Sequence, residues 1–172
     1  GTSRSRKAGR RMPKSKVKTM LIIFFDSRGI VHKEFVPPGS TVNAAFYKEV
    51  LLRLKNRVAR VRPDLVNNWT LHHDNAPAHT AFLCTSALAK MGVPVLPHPP
   101  YSPDLSPPDF FLFSRLKRKL KGRRFDSIEA IQKTVTAELN AIPADEFKKC
   151  FLQWKDRYQR CIDAQGSYFE EY

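Results

Sequence analysis

No stretch of this 172-residue chain approaches the ~18 to 20 consecutive apolar residues that a bilayer span needs, so no segment is expected to cross a membrane. Cysteine is scarce. Cys84, Cys150 and Cys161 are odd in number and widely spaced, and the absence of any C-x-x-C pair excludes a zinc ribbon. Cys150 and Cys161 fall on an apolar helical pattern, which predicts buried free thiols in a reducing compartment. No apolar stretch follows the basic N-terminus closely enough to make a secretory signal. The first residue is Gly1 rather than Met, so a processed chain or a fragment is expected. Acid is missing from two long stretches, 1–18 and 110–125.

What is present describes a globular domain. Apolar residues make up 42% of the chain, and its length suits one domain with a real core rather than two. The net charge is +14, from 30 Lys+Arg against 16 Asp+Glu. An imbalance of that size calls for a polyanionic partner: nucleic acid first, an anionic membrane surface second. Residues 1–18 alone hold eight of the cations (Arg4, Arg6, Lys7, Arg10, Arg11, Lys14, Lys16 and Lys18). Such a segment buries no core and is expected to be flexible until it meets an anion. A nuclear-targeting signal fits it equally well.

The remainder, 19–172, reads as one folded unit. Residues 19–25 (TMLIIFF) are apolar on both faces, and with 30–36 they predict a hairpin turning at Asp26-Ser27-Arg28-Gly29, inside a sheet covered on both sides. A helix is expected to start between Ser40 and Asn43, bury Phe46, Val50, Leu54, Val58 and Val61, and stop at Pro63. Residues 69–73 predict a strand, 80–91 a helix ending at Gly92, and 93–96 a short strand. The segment PHPPYSPDLSPPD then holds six of the thirteen prolines and cannot be helical before its end. Three helices follow. One starts at Asp109. One spans 127–140, with Asp126 and Glu129 as a cap-like pair. The last starts near Pro143 and buries Phe147, Phe151, Trp154, Tyr158 and Ile162. The order β-β-α-β-α-β-α-α-α defines an α/β fold, a mixed sheet with helices on its faces.

Two acids stand out by position. Asp74 lies where a strand ends, the place where ligands of α/β sheets gather. Asp109 opens a helix after the stiff Pro segment, with 34 residues between the two. Paired carboxylates at a sheet edge suit Mg²⁺, and two such ions serve phosphodiester chemistry. A structural reading competes and is the stronger on local pattern alone. Ser106-Pro107-Pro108-Asp109 is a good helix start, with Ser106 as N-cap, and Asp74-Asn75 makes a turn.

His72, His73, His79 and His98 suggest zinc at first sight, but their spacing matches no helical zinc pairing and no thiol lies nearby. A histidine near Asp74 would instead position it or touch DNA. After Asp109 come Arg115, Lys117, Arg118, Lys119, Lys121, Arg123 and Arg124. A charge run is usually a solvated face. Seven uncompensated cations beside a metal site are better explained by phosphate contacts. Phe110, Phe111 and Phe113 belong to the core more readily than to a base-stacking platform.

These residues carry a resemblance. Residues 71–79, LHHDNAPAH, are similar to the HDNAPxH motif of the mariner branch of Tc1/mariner transposases, and residues 96–109, LPHPPYSPDLSPPD, to its LPHPPYSPDLxPxD motif. The 34-residue gap is the spacing of the mariner (DD34D) group. The resemblance extends from about Lys16 to the C-terminus. It implies a ribonuclease H-like fold and metal-dependent cleavage and strand transfer of DNA, in which Mg²⁺ or Mn²⁺ is held by three carboxylates. Asp74 would be the second of these and Asp109 the third. Asp104, although inside the motif, would anchor a loop. The implied partners are transposon terminal inverted repeats and target DNA, with a homodimer in the full-length protein and a nuclear location.

One departure matters. In this family the first carboxylate sits on the fold's first strand, upstream of the hairpin, and nothing here fills that place. Asp26 is a turn residue. The first strand is central in a ribonuclease H-like sheet, so its absence predicts a gap between the hairpin and the Asp74 strand. Residues 1–18 would then be the loop between the first and second strands, and 19–172 an incomplete catalytic domain, inactive as an isolated chain. The alternative is a domesticated or decayed remnant that binds DNA without cutting it.

Overall fold

A computed structural model describes residues 18–99 and 101–164, with side-chain surroundings as far as residue 158. The basic segment 1–17, Pro100 and the side chains of Cys161 and Ile162 lie outside the described residues.

The hairpin forms as the sequence suggests. Strand β1 (Met20–Asp26) pairs antiparallel with β2 (Gly29–Val36), with a register irregularity at Phe24/Phe25. The Asp26 carboxylate accepts the Arg28 N–H at 2.9 Å, and Gly29 takes a φ of 132°, which a side chain would resist. Period-two alternation sorts β1 between two cores. Ile22 and Phe24 face one; Leu21, Ile23 and Phe25 face the other.

Helix α1 (Ala44–Val61) builds the first core. Asn43 caps it by accepting the Phe46 N–H at 2.8 Å, and Pro63 follows its end. Its buried face is Tyr47, Val50, Leu51, Leu54 and Val58, packed with Val31, Leu71, Cys84, Leu88 and Val93. Phe46 and Val61, expected inside, are only partly buried. Next come the short helix α2 (Pro77–Thr80) and helix α3 (Phe82–Met91), which ends on Gly92 at a φ of 72°.

The second core lies across the hairpin. A π-helical turn (Pro108–Phe113) runs into α4 (Ser114–Leu120), followed by α5 (Ile128–Asn140) and α6 (Ala144–Ala164). Leu112, Leu116, Val135, Leu139, Ile142 and Phe147 pack there around Ile23, with Phe111 and Phe113 beside them as core residues. The α5 cap is Ser127, which accepts the Ala130 N–H at 3.1 Å, and not the expected Asp126–Glu129 pair. Cys84 and Cys150 are buried free thiols, and burial pushes the Cys150 thiol up to about 12.

The expected strands at 69–73 and 93–96 shrink to one parallel bridge, Leu71 with Val95. Its hydrogen bonds are Leu71 N–H to the Pro94 carbonyl and Leu96 N–H to the Leu71 carbonyl. The reason lies on the other side of the segment. Among the described residues, no strand sits between β1 and residues 68–74. Two cavities of about 360 and 490 Å³ occupy that trough, and both are lined by Ile23, Phe24, His72 and Pro108. A strand is held by its neighbours, and among the described residues this one has a partner on one side only.

Candidate active site

Asp74 is placed by the loop that leaves the Leu71 bridge. Its Oδ1 accepts the Ala76 N–H at 3.0 Å, and His79 Nδ1 lies 2.8 Å from the same oxygen while its hydrogen bond goes to the Asp74 carbonyl at 3.3 Å. Oδ2 has no hydrogen-bond partner among the described residues, and the side chain is 53% exposed. The neighbouring Asn75 donates to the His98 carbonyl at 2.7 Å, which ties this loop to the start of the Pro-rich segment. Asp74-Asn75 therefore makes the turn that the structural reading foresaw, and presents a carboxylate oxygen as well.

Around Asp74 the histidines form two groups. His72 meets His98, ring nitrogen to ring nitrogen, at 3.1 Å, with Trp154 against its ring. His73 stacks on His79 with centroids 4.8 Å apart, and His79 stacks on Tyr47 at 4.0 Å. The Tyr47 hydroxyl meets His73 Nδ1 at 2.9 Å, and burial raises the phenol's pKa, so it stays protonated. Burial, assisted by the neighbouring histidine, lowers both His72 and His73 to about 4. They are neutral at pH 7 and add no cation to the site. No group of three or more metal-ligating side chains gathers among the described residues.

Asp109 comes from the other direction. The Pro-rich segment makes a 3₁₀ turn (Pro103–Leu105) and enters the π-helical turn, where the Ser106 carbonyl accepts from both Asp109 and Phe110. The expected Ser106 side-chain cap is absent. Two consecutive prolines bring no N–H for a side chain to cap, and the backbone carbonyl takes the later donors instead. Helix α6 holds this segment by its carbonyls. Trp154 Nε1 donates to Leu105 at 2.8 Å, Arg157 to Asp104 at 3.1 Å and the Tyr158 hydroxyl to Pro97 at 3.3 Å. The Arg157 guanidinium also lies 4.2 Å from the Phe110 ring centre. Asp104 thus sits in a clamped loop. Asp74 and Asp109 are both exposed, and both line the 490 Å³ cavity.

Other charged groups are already engaged. Asp26 accepts from Arg62 at 2.8 and 3.0 Å. Burial pushes its pKa up, but the Arg62 and Arg28 hydrogen bonds and charges outweigh burial and leave it low. Asp26 is an ion-paired turn residue. On α1, Arg53 pairs with Glu34 and Arg57 donates to the Val31 carbonyl. Of the seven cations after Asp109, Arg115 is half-buried and bonded to Glu146. Lys117, Arg118 and Lys119 are exposed on α4. Lys121, Arg123 and Arg124 are exposed beyond its end, where Gly122 turns the chain at a φ of 77°. The sequence suggested that a histidine would position Asp74, and His79 is the one that reaches it; the signal it missed is Trp154, which holds the Asp109 loop from 45 residues downstream.

A hairpin between two helical layers, two exposed carboxylates lining one cavity and a run of exposed cations after Asp109 fit one class, the catalytic core of a DDE-type transposase. Residues 4–68 match the family model described as "Transposase (partial DDE domain)". The mariner Mos1 transposase of Drosophila mauritiana is 36% identical over 157 residues, 89% of this chain and 45% of that protein. The Mos1 catalytic domain solved with Raltegravir and Mg superposes with a TM-score of 0.81 at 35% identity, over 88% of this chain and 77% of that one. A Mos1 paired-end complex with the left transposon end gives a TM-score of 0.80 at 35% identity, over 89% of this chain and 45% of that one. The chain belongs to the mariner transposase family and has the ribonuclease H-like fold of its catalytic domain. It spans about half the length of that Mos1 transposase.

Proposed function

We propose that this chain is the part of a mariner transposase that holds two of three metal-binding carboxylates, and that the whole protein cuts transposon ends and joins them to target DNA. The observation that carries this reading is the convergence of Asp74 and Asp109 on one cavity. The donor set fits a hard cation: Asp74 Oδ2 is unpartnered, Asp109 forms no ion pair among the described residues, and oxygen ligands suit Mg²⁺ or Mn²⁺. When bound, the metal pair would activate a water or hydroxyl and stabilise the leaving oxygen of a phosphodiester. The chain's own share is to orient Asp74 through the Ala76 N–H and the His79 ring beside it, and to hold Asp109 on the segment clamped by α6.

The third carboxylate belongs on a strand seated in the trough between β1 and residues 68–74, where both edges lack a neighbour among the described residues. Without it the site is under-liganded and the isolated chain does not cut DNA. Lys117, Arg118, Lys119, Lys121, Arg123 and Arg124 would meet phosphates. The homodimer expected from pairing two ends and the nuclear location are part of the same proposal.

The test compares this chain with a chimera in which the Mos1 strand bearing the first carboxylate precedes it. Nicking of supercoiled DNA in Mn²⁺ is expected from the chimera only, and Asp74→Asn or Asp109→Asn abolishes it. Efficient nicking by the chain alone, lost in Asp74→Asn, would overturn the incomplete-site reading. A folded chimera that never nicks would overturn the catalytic one.

A further inference from the structure

The Asp74 carboxylate has two oxygens in unlike situations. Oδ1 accepts the Ala76 N–H and lies 2.8 Å from His79 Nδ1, whose hydrogen bond goes to the Asp74 carbonyl, and Oδ2 has no partner among the described residues. The Ala76 bond alone would make an ordinary Asx turn. The His79 contact is different, because the imidazole comes from α2, five positions further on, and is itself fixed. His79 Nδ1 faces only acceptors, Asp74 Oδ1 at 2.8 Å and the Asp74 carbonyl at 3.3 Å, so the proton sits on Nδ1. Its ring packs on Tyr47 and His73, and Tyr47, which is 2% exposed, is locked to His73 by their hydrogen bond. With 20% of its side chain exposed, His79 has little room to turn.

We infer that His79 is the positioning residue of this site. It fixes the plane of the Asp74 carboxylate by holding Oδ1, so that Oδ2 alone is presented to a metal, and the Tyr47–His73 pair holds His79. This rests on the proposed role of Asp74 as a metal ligand. A group behind a ligand commonly acts this way, orienting it and raising its affinity. His79 touches neither metal nor substrate and is not a catalytic residue. The ring stack couples the metal-facing carboxylate to the core of α1, since Tyr47 lies on its buried face.

The test is Mn²⁺ titration of the whole chain, read as paramagnetic broadening of the amide signals of residues 72–76. Three variants separate the hydrogen bond from the packing. His79→Ala removes both. His79→Phe keeps the ring stack without the donor. In His79→Asn the side-chain N–H stands where Nδ1 stood. Mn²⁺ binding is expected to weaken about tenfold or more in the Ala and Phe variants and to stay within about threefold of wild type in the Asn variant. The assignment is overturned if the Phe variant binds like wild type, or if the Asn variant falls as far as Ala. If the Ala variant keeps its affinity while Asp74→Asn loses it, His79 fails and the Asp74 reading stands. If wild type shows no broadening there at all, both fail.

Discussion

The indole N–H of Trp154 donates to the carbonyl of Leu105 at 2.8 Å, and through that bond the C-terminal helix holds the loop that delivers Asp109. A Pro-rich segment has few N–H groups with which to fold on itself, so its carbonyls must be met from outside. Leu105 is 2% exposed, which leaves its carbonyl little water to turn to. Trp154→Phe keeps an aromatic ring and deletes the donor. It is expected to cost about 1–3 kcal/mol, at about 2–4 °C per kcal/mol in a domain of this size. Thermal unfolding by circular dichroism checks this, and an unchanged midpoint would count against the clamp.

Asp26 supplies a pH prediction with a definite sign. Its folded carboxyl titrates below the ordinary range, because Arg62 and Arg28 outweigh the opposing effect of burial. Glu34, hydrogen-bonded to Arg53 and His32, behaves the same way against the same burial penalty. A lowered folded pKa contributes stability above the unfolded value, and that contribution is lost as pH falls through the folded one. Asp26→Asn is therefore expected to be less stable than wild type at pH 7, with the gap closing as pH drops below the carboxylate range. Urea melts at pH 7 and pH 3 measure it. A gap that persists at low pH would mean that the Arg62 pair is not its source. The same variant should leave Mn²⁺ binding unchanged.

Much of this was legible in sequence, for local reasons. Asn43 as a cap, Pro63 after a helix end, Gly92 in the left-handed region and the turn at Asp26–Gly29 all act within a few residues. The two acids stood out through the motifs that carry the family resemblance, and both line one cavity. The misses are non-local. Residues 69–73 carry strand composition, but a strand also needs a neighbour, and on the β1 side there is none among the described residues. Arg115 read as one more cation until Glu146, 31 positions away, bonded it. Phe46 fits the helical period as well as Tyr47 does. Tyr47 is the buried one of the two, in the first core with Leu71 and Cys84 and with its ring against His73 and His79.

If the exposed cations that follow Asp109 meet phosphates, as proposed, binding to DNA should depend steeply on salt through counterion release. Removing one phosphate-binding cation lowers the slope of log K against log salt by about 0.9. Neutralising Lys117, Arg118 and Lys119 to Ala should reduce both affinity and slope, whatever the DNA sequence, whereas Arg115→Ala should act on stability through Glu146. Fluorescence anisotropy over a salt series separates these effects. An unchanged slope in the triple variant would remove α4 from the interface.

Mn²⁺ mapping of the wild-type chain by amide line broadening addresses the convergence of Asp74 and Asp109 itself. If the two acids share one site, signals from 72–76 and from 108–111 broaden together at the same Mn²⁺ concentration, and either Asp74→Asn or Asp109→Asn weakens both sets at once. If the two segments broaden at unrelated concentrations, or if Asp74→Asn leaves the region around Asp109 untouched, the two carboxylates do not share a metal.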